Sequence, residues 1–367
     1  MNNYSMIAEK ANLKKIEDAI REDRVDSKNK WDETPLMFAV AEGYPDKVRK
    51  LINMGADVNA KSCLLDSVIM YLSKVKNKAI NKEILKILLD NGARLNCRNS
   101  DGDTILIKAI KENNTSMVEN LIDLDIDVEQ TGSELLTPLM TAAKNGYTKI
   151  LNLLIQSGAD IARRDINFNT ALIYAIAYNQ TKAVDFLIAE GAKVESYFIF
   201  NILKLIDKNY LDSKGLVKYL DYLISKGADI DYHGYYGKEN EEYTPLMIAL
   251  TADMDYELIE ALIKAGAKVN MSKNCLNNMG ELKLKSGYRY QKYMTPLKLA
   301  IEQNRDQIAD YLIEQGARYN MLDKDIWAYR EEDYLSNSRE EDEGKSLKED
   351  YDLEEFFEAF ADKSSEE

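Results

Sequence analysis

The chain has 367 residues with a formal net charge of −15; 45% are hydrophobic and 30% charged, the balance of a water-soluble protein with apolar material for an extended core. Acidity on this scale repels nucleic-acid phosphates and anionic lipid surfaces, so a function resting on either needs a local basic patch. No stretch reaches membrane-spanning length, and the N-terminus, MNNYSMIAEKANLKK, holds no apolar leader core.

In chain order, residues 4–22 read as a helix pair, with Ile7, Leu13, Ile16, Ala19 and Ile20 on the buried side. A regular unit follows from Trp31 to Ala60. Thr34 serves as N-cap, Pro35 sits where a missing N–H costs nothing, Gly43 turns the chain into a second helix and Gly55 closes it. The next unit lies between Lys61 and Asn96 and closes at Gly92-Ala93; its first helix, near Leu64 to Leu72, lacks the threonine signal, and residues 73–81 form a lysine-rich connection. Units opening at Thr104, Thr137 and Thr170 follow at 33-residue spacing. A further unit, with its first helix near Phe198 to Ile206 and Asp212 or Ser213 capping its second, closes at Gly227. The last two open at Thr244 and Thr295, each after an insertion in the hairpin position: GYYGKENEEY at 234–243 and a longer one from Met271 to Met294. From about Leu322 charge runs such as REEDEGK at 339–345 replace the periodic pattern, and residues 321–367 hold 18 acidic and 6 basic residues. Near the end Leu353, Phe356, Phe357 and Phe360 fall at helical spacing, with Asp352 and Glu355 as a capping box. That short amphipathic helix is expected either to cover the last repeat or to act as a linear motif.

One frame underlies this order, and it is clearest from Thr137 to Gly158, TPLMTAAKNGYTKILNLLIQSG. The residue nine after each threonine is Gly43, Asn113, Gly146, Asn179, Asp253 or Asn304, all tolerant of a left-handed turn. A period of 33 residues means a solenoid in which each helix pair packs on its neighbours, here nine units counting the first segment. Leu36, Leu139, Leu172, Leu246 and Leu297 are then buried between neighbours.

The motifs TPLM at 34–37, 137–140 and 244–247, TPLK at 295–298 and the GAD, GAK and GAR closures resemble those of the ankyrin repeat family. The resemblance covers most of residues 1–320 and leaves 321–367 as an acidic tail. It implies an all-α solenoid of stacked helix-turn-helix units with hairpin loops, and a non-catalytic, protein-binding role. Two features depart from the family pattern. Met37, Met140, Met247 and Lys298 stand where the family has a histidine, and the unit at Thr104 lacks the proline and closes with Asp125-Ile126.

Residue chemistry points away from catalysis. His233 is the only histidine and falls in an expected loop, which leaves almost nothing for Ser-His or Cys-His nucleophiles or for histidine metal sites. Cys63, Cys97 and Cys275 have no metal or redox spacing and fit three ordinary thiols in a reducing, cytoplasmic setting. Asp101 with Asp103, and Asp123, Asp125 and Asp127, read as solvated faces. No catalytic, cofactor or metal residues are therefore assigned.

The partner expected is a protein, bound by a monomeric chain on the concave side. There, positions seven and eight after each threonine should face solvent: Ala41 and Glu42, Lys111 and Glu112, Lys144 and Asn145, Ala177 and Tyr178. Hairpin positions add Trp31, Glu33, Leu135, Leu136 and Phe168, and the insertions add Tyr235, Tyr236, Tyr243, Tyr288, Tyr290 and Lys292. The second insertion interleaves Lys273, Lys283, Lys285, Arg289 and Lys292 with Tyr288, Tyr290 and Tyr293, a composition suited to an acidic peptide more than to nucleic acid on so acidic a chain. Two other readings remain open: an acidic inhibitor or immunity-type protein that neutralises a basic enzyme, and an enzyme accessory with its site at 271–294.

Overall fold

Six threonines start six short helices, and each does so by the same local chemistry. In a computed structural model that describes residues 3–237, 241–271, 273–274 and 293–318, the hydroxyls of Thr34, Thr104, Thr137, Thr170, Thr244 and Thr295 accept from the backbone N–H three residues on, at 3.1–3.4 Å. Extended backbone at the threonine and proline after most of them set the helix direction. In two units the substituted methionine takes part: the Thr34 N–H points at Met37 Sδ (3.4 Å) and that of Thr137 at Met140 Sδ (3.5 Å). A thioether is a weak acceptor, yet it gives a buried donor a partner where the family has a histidine.

The first helices so begun are α2 (Pro35–Ala41), α5 (Ile105–Lys111), α7 (Pro138–Lys144), α9 (Ala171–Ala177), α13 (Pro245–Thr251) and α15 (Pro296–Glu302). Each turns back through a residue of positive φ, namely Gly43, Asn113, Gly146, Asn179, Asp253 or Asn304, into a second helix. These second helices are α3 (Pro45–Asn53), α6 (Thr115–Ile122), α8 (Thr148–Gln156), α10 (Thr181–Ala189), α14 (Tyr256–Lys264) and α16 (Asp306–Glu314). Most close on glycine in the left-handed region, as at Gly158, where the Ala159 N–H reaches back to the Leu154 carbonyl at 3.0 Å. Leu36, Leu139, Leu172, Leu246 and Leu297 are all buried, as the frame requires.

Two units lack the threonine. The first pairs a 3-10 helix (Val68–Lys74) with α4 (Lys78–Asp90), and the second pairs α11 (Phe198–Asn209) with α12 (Lys214–Ser225). Asparagines stabilise the irregular first one. Asn81 donates to the Leu72 and Val75 carbonyls, Asn114 donates to those of Ser73 and Val75, and Asn120 donates to Asn81 Oδ1. The expected connection over 73–81 is correspondingly shorter, because Asn77 caps α4 through the N–H groups of Ala79 and Ile80. For α12 the expected hydroxyl cap is absent. Ser213 Oγ instead donates to Asp255 Oδ2 of the following unit (2.7 Å), while Asp212 Oδ1 accepts from the Lys214 N–H (3.2 Å).

The first segment is a single helix, α1 (Asn3–Arg21), and not the expected pair. Nothing between 4 and 22 breaks a helix, since the stretch has neither glycine nor proline. Ile16 and Ala19 of α1 are buried against α2 and α3. The insertion at 234–243 forms an antiparallel ribbon, β1 (Gly234–Tyr236) with β2 (Glu241–Tyr243), in which Tyr235 faces Glu242 across the pair. Lys273–Asn274 and Tyr293–Met294 pair in the same way as β3 and β4. First helices pack on first helices and second on second, so the core is a continuous sandwich of apolar faces. The chain divides into two units, Met1–Ala317 and Arg318–Glu367. The readings placed on Tyr288, Tyr290 and Lys292, and on Leu353, Phe356, Phe357 and Phe360, lie outside the described residues.

Candidate functional site

The hairpin connections present a feature that the sequence reading did not identify. Five residues before Thr34, Thr104 and Thr170 stand Asn29, Asn99 and Asp165, whose Oδ1 atoms each accept from the N–H groups two and four residues on, at 2.7–3.1 Å. These side chains fold the connection into a tight tip. Adjacent tips then bond to one another, Cys63 N–H to the Trp31 carbonyl and Ser100 N–H to that of Leu64, both at 2.9 Å. The visible signal was the recurrent Asn or Asp at that spacing.

Rigid tips hold apolar groups in water. Trp31, Leu64, Leu65, Leu135, Ile166, Phe168 and Tyr235 are exposed in these connections, Phe168 at 61%. Leu65, Leu135 and Phe168 also adopt positive φ, uncommon for bulky side chains. Of the large apolar residues exposed among the described part, only Leu124 and Tyr210 lie elsewhere.

Beside the tips, a cleft of about 470 Å³ is lined by the connection at 133–136, by Lys144 at the end of α7, by Tyr174 and Tyr178 of the α9 unit, by α11 and by β1. Tyr178 receives the Lys144 ammonium 4.7 Å above its ring. Lys204 of α11 is half-buried, lies 5.5 Å over the Phe200 ring and donates to the Tyr235 carbonyl at 3.2 Å. Burial holds its pKa below the ordinary lysine value. Lys208 stands 3.6 Å from Glu134. Two phenols are tied down by carboxylates, Tyr174 to Asp165 and Tyr236 to Asp207, both at 2.7 Å. Burial first, and then those bonds, push both tyrosines well above their usual range.

The ribbon completes this cleft by close approach to α11. A Cβ on Gly234 would lie 2.6 Å from the Phe200 ring, so a residue with a side chain would displace it. Tyr236 packs edge-on to Tyr243 with ring centroids 5.3 Å apart.

Of the residues proposed from sequence, the cleft gathers Leu136, Lys144, Tyr178 and Tyr236. Trp31, Leu135, Phe168 and Tyr235 lie along the tips. Glu33 is occupied by Asn29 and the Tyr71 hydroxyl (2.8 and 3.0 Å), and Lys111 by the carboxylate of Asp103 (2.6 Å). Asp103 is therefore buried and ion-paired, a correction to its reading as a solvated face. Ala177, expected to face solvent, is buried, because Gly215 of α12 packs directly on the Ile176 carbonyl and Asn179. Ala41 and Glu42 are half-buried, and the Glu42 carboxylate accepts from Asn12 of α1 at 2.8 Å. His233 is exposed in a loop, and among the described residues no three His, Cys, Asp or Glu side chains converge as a metal site would require.

Comparison with known proteins gives this repeat its place. The profile of ankyrin repeats in three copies matches residues 69–165, 137–197 and 220–323, and the single ankyrin repeat matches 31–63. The chain belongs to the ankyrin repeat family. Its matched segments leave out residues 1–30, 64–68, 198–219 and 324–367, and with them α1, all of α11 and the start of α12. A fowlpox virus (strain NVSL) protein named for its ankyrin repeats is 28% identical over 104 residues, which is 28% of this chain and 30% of that relative. The chain thus matches less than a third of that protein's length. Ankyrin repeats support a protein-interaction module, and the family is generally non-catalytic. No described helix is long and apolar enough to cross a membrane.

Proposed function

We propose that the chain is a non-catalytic binding array that receives a protein partner on the face built by its first helices and hairpin tips. The row of exposed apolar tip residues carries this reading. Trp31, Leu64, Leu135, Ile166 and Phe168 are held in water by rigid, hydrogen-bonded connections, a cost that partner burial would recover. The second helices offer no such row: among the described residues none of them exposes a large apolar side chain, and Lys149 is typical of their outward positions.

The test is capture of a partner by the full chain, followed by affinity measurement on single variants. Trp31→Ala, Phe168→Ala and Tyr178→Ala should each weaken binding, with the central aromatic costing about 2 kcal/mol, roughly 30-fold. Lys149→Ala, on the opposite wall, should leave it unchanged. Loss in the Lys149 variant with none in the three aromatic variants would place the partner on the other face and refute the reading.

A further inference from the structure

We propose that the cleft between the α7, α9 and α11 units is a recognition site for a short acidic segment of the partner protein, bound through Lys144 and Lys204. This rests on the reading above and assigns the chemistry of one part of that face. Its motive is an imbalance of charge. On a chain of net charge −15, the cleft carries three lysines, and among the described residues only one of them, Lys208, has a carboxylate within ion-pair distance. Among the described residues Lys144 meets only the face of Tyr178, and Lys204 meets only Phe200 and a backbone carbonyl.

Lys204 is the sharper case. A half-buried ammonium costs desolvation, and among the described residues no carboxylate lies within ion-pair distance to offset it, so its charge is held at a disadvantage that an incoming carboxylate would relieve. Both ammonium groups lie over aromatic faces, which hold them at the cleft without neutralising their charge.

Size and polarity narrow the occupant. Helices pack about 8–10 Å apart, so three neighbouring first helices span roughly 20 Å, and at about 3.3 Å per residue an extended segment of roughly six residues crosses the cleft. Glu134 and Asp207 flank the lysines. Their charge disfavours a phosphate backbone, with one anion at every nucleotide, but leaves room for a peptide that carries acids at intervals and neutral residues between them. The β1–β2 ribbon forms one wall through Tyr236, whose hydroxyl is engaged by Asp207, so it offers the occupant an aromatic face.

The experiment probes the full chain with an array of immobilised ten-residue peptides that carry zero to four glutamates or aspartates, each beside its glutamine or asparagine counterpart. A single-stranded oligonucleotide serves as competitor. Wild-type protein should select the acidic peptides over their amide counterparts. Lys204→Met and Lys144→Met, which keep the apolar stem, should each weaken the best peptide tenfold or more, Lys204→Arg should retain it, and Lys149→Met should match wild type. Unaltered thermal melting of the Met variants shows that folding is intact. The proposal is overturned if selected peptides show no acidic enrichment, if Lys204→Met binds the acidic peptides as wild type does, or if the oligonucleotide displaces them at equal concentration. Partner capture that depends on Trp31 and Phe168 but is indifferent to acidic segments would overturn this proposal alone. Dependence on Lys149 would overturn the wider reading.

Discussion

Replacing Gly215 with alanine sets two physical effects against each other, and the structure decides the sign. Gly215 is the second residue of α12, and by helix propensity alone alanine would be better there by at most about 1 kcal/mol. The added Cβ, however, would lie 2.1 Å from the Ile176 carbonyl oxygen and 3.1 Å from the Asn179 Cα, both backbone atoms of the preceding repeat. Relief requires α12 to move more than an ångström away from α9, and overpacking typically costs about 1–3 kcal/mol. A backbone clash this close belongs at the upper end. Subtracting the propensity gain leaves a net loss of about 2 kcal/mol. With a urea slope near 3 kcal/mol/M, as expected for a large domain, the unfolding midpoint should fall by about 0.7 M. Because repeat arrays are coupled mainly through nearest-neighbour interfaces, amide exchange should accelerate most at the end of α9 and in α12, with α2 and α3 little changed. A midpoint equal to or above that of the wild type would mean that the two repeats are not in this contact, and the packing account of Ala177 would fail with it.

Two further outcomes follow from the polar core. Asn114→Ala removes the cap on Met117 N–H and the side-chain donor to the Ser73 carbonyl, and leaves the Val75 carbonyl with Asn81 alone, so it should cost about 2–4 kcal/mol in urea unfolding; less than about 1 kcal/mol would show that the asparagine ladder does not stabilise the irregular unit. The raised pKa of Tyr174, caused by burial and then by its bond to Asp165, means that above pH 10 the unfolded chain loses this proton before the folded one does. The stabilisation is full below pH 10 and is lost as pH rises above it, so Tyr174→Phe should flatten the alkaline decline of unfolding free energy by at most about 1.4 kcal/mol per pH unit; an unchanged slope between pH 10 and 11 would refute the assignment.

Much of the fold was legible because its determinants are local. A threonine, a proline and a glycine or asparagine at fixed spacing set each helix start and turn through bonds within a few residues, and the 33-residue period then dictated stacking. The same locality explains where the reading fell short. The 3-10 helix at Val68–Lys74 is stabilised by asparagines from α4 and the next unit, and the burial of Ala177 and Asp103 comes from α12 and from Lys111. The candidate cleft was half visible. Lys144, Tyr178 and Tyr236 stood out as residues at exposed repeat positions, but Lys204 did not, since nothing in a lysine's sequence neighbours reports which aromatic ring and which carbonyl will close over it. Sequence therefore determined the repeat, its period and the face that the tips present, because short-range backbone chemistry encodes them. Only tertiary structure decided which charges on that face are left without an opposite among the described residues, because pairs such as Lys108–Asp66 and Lys208–Glu134 join side chains from different units.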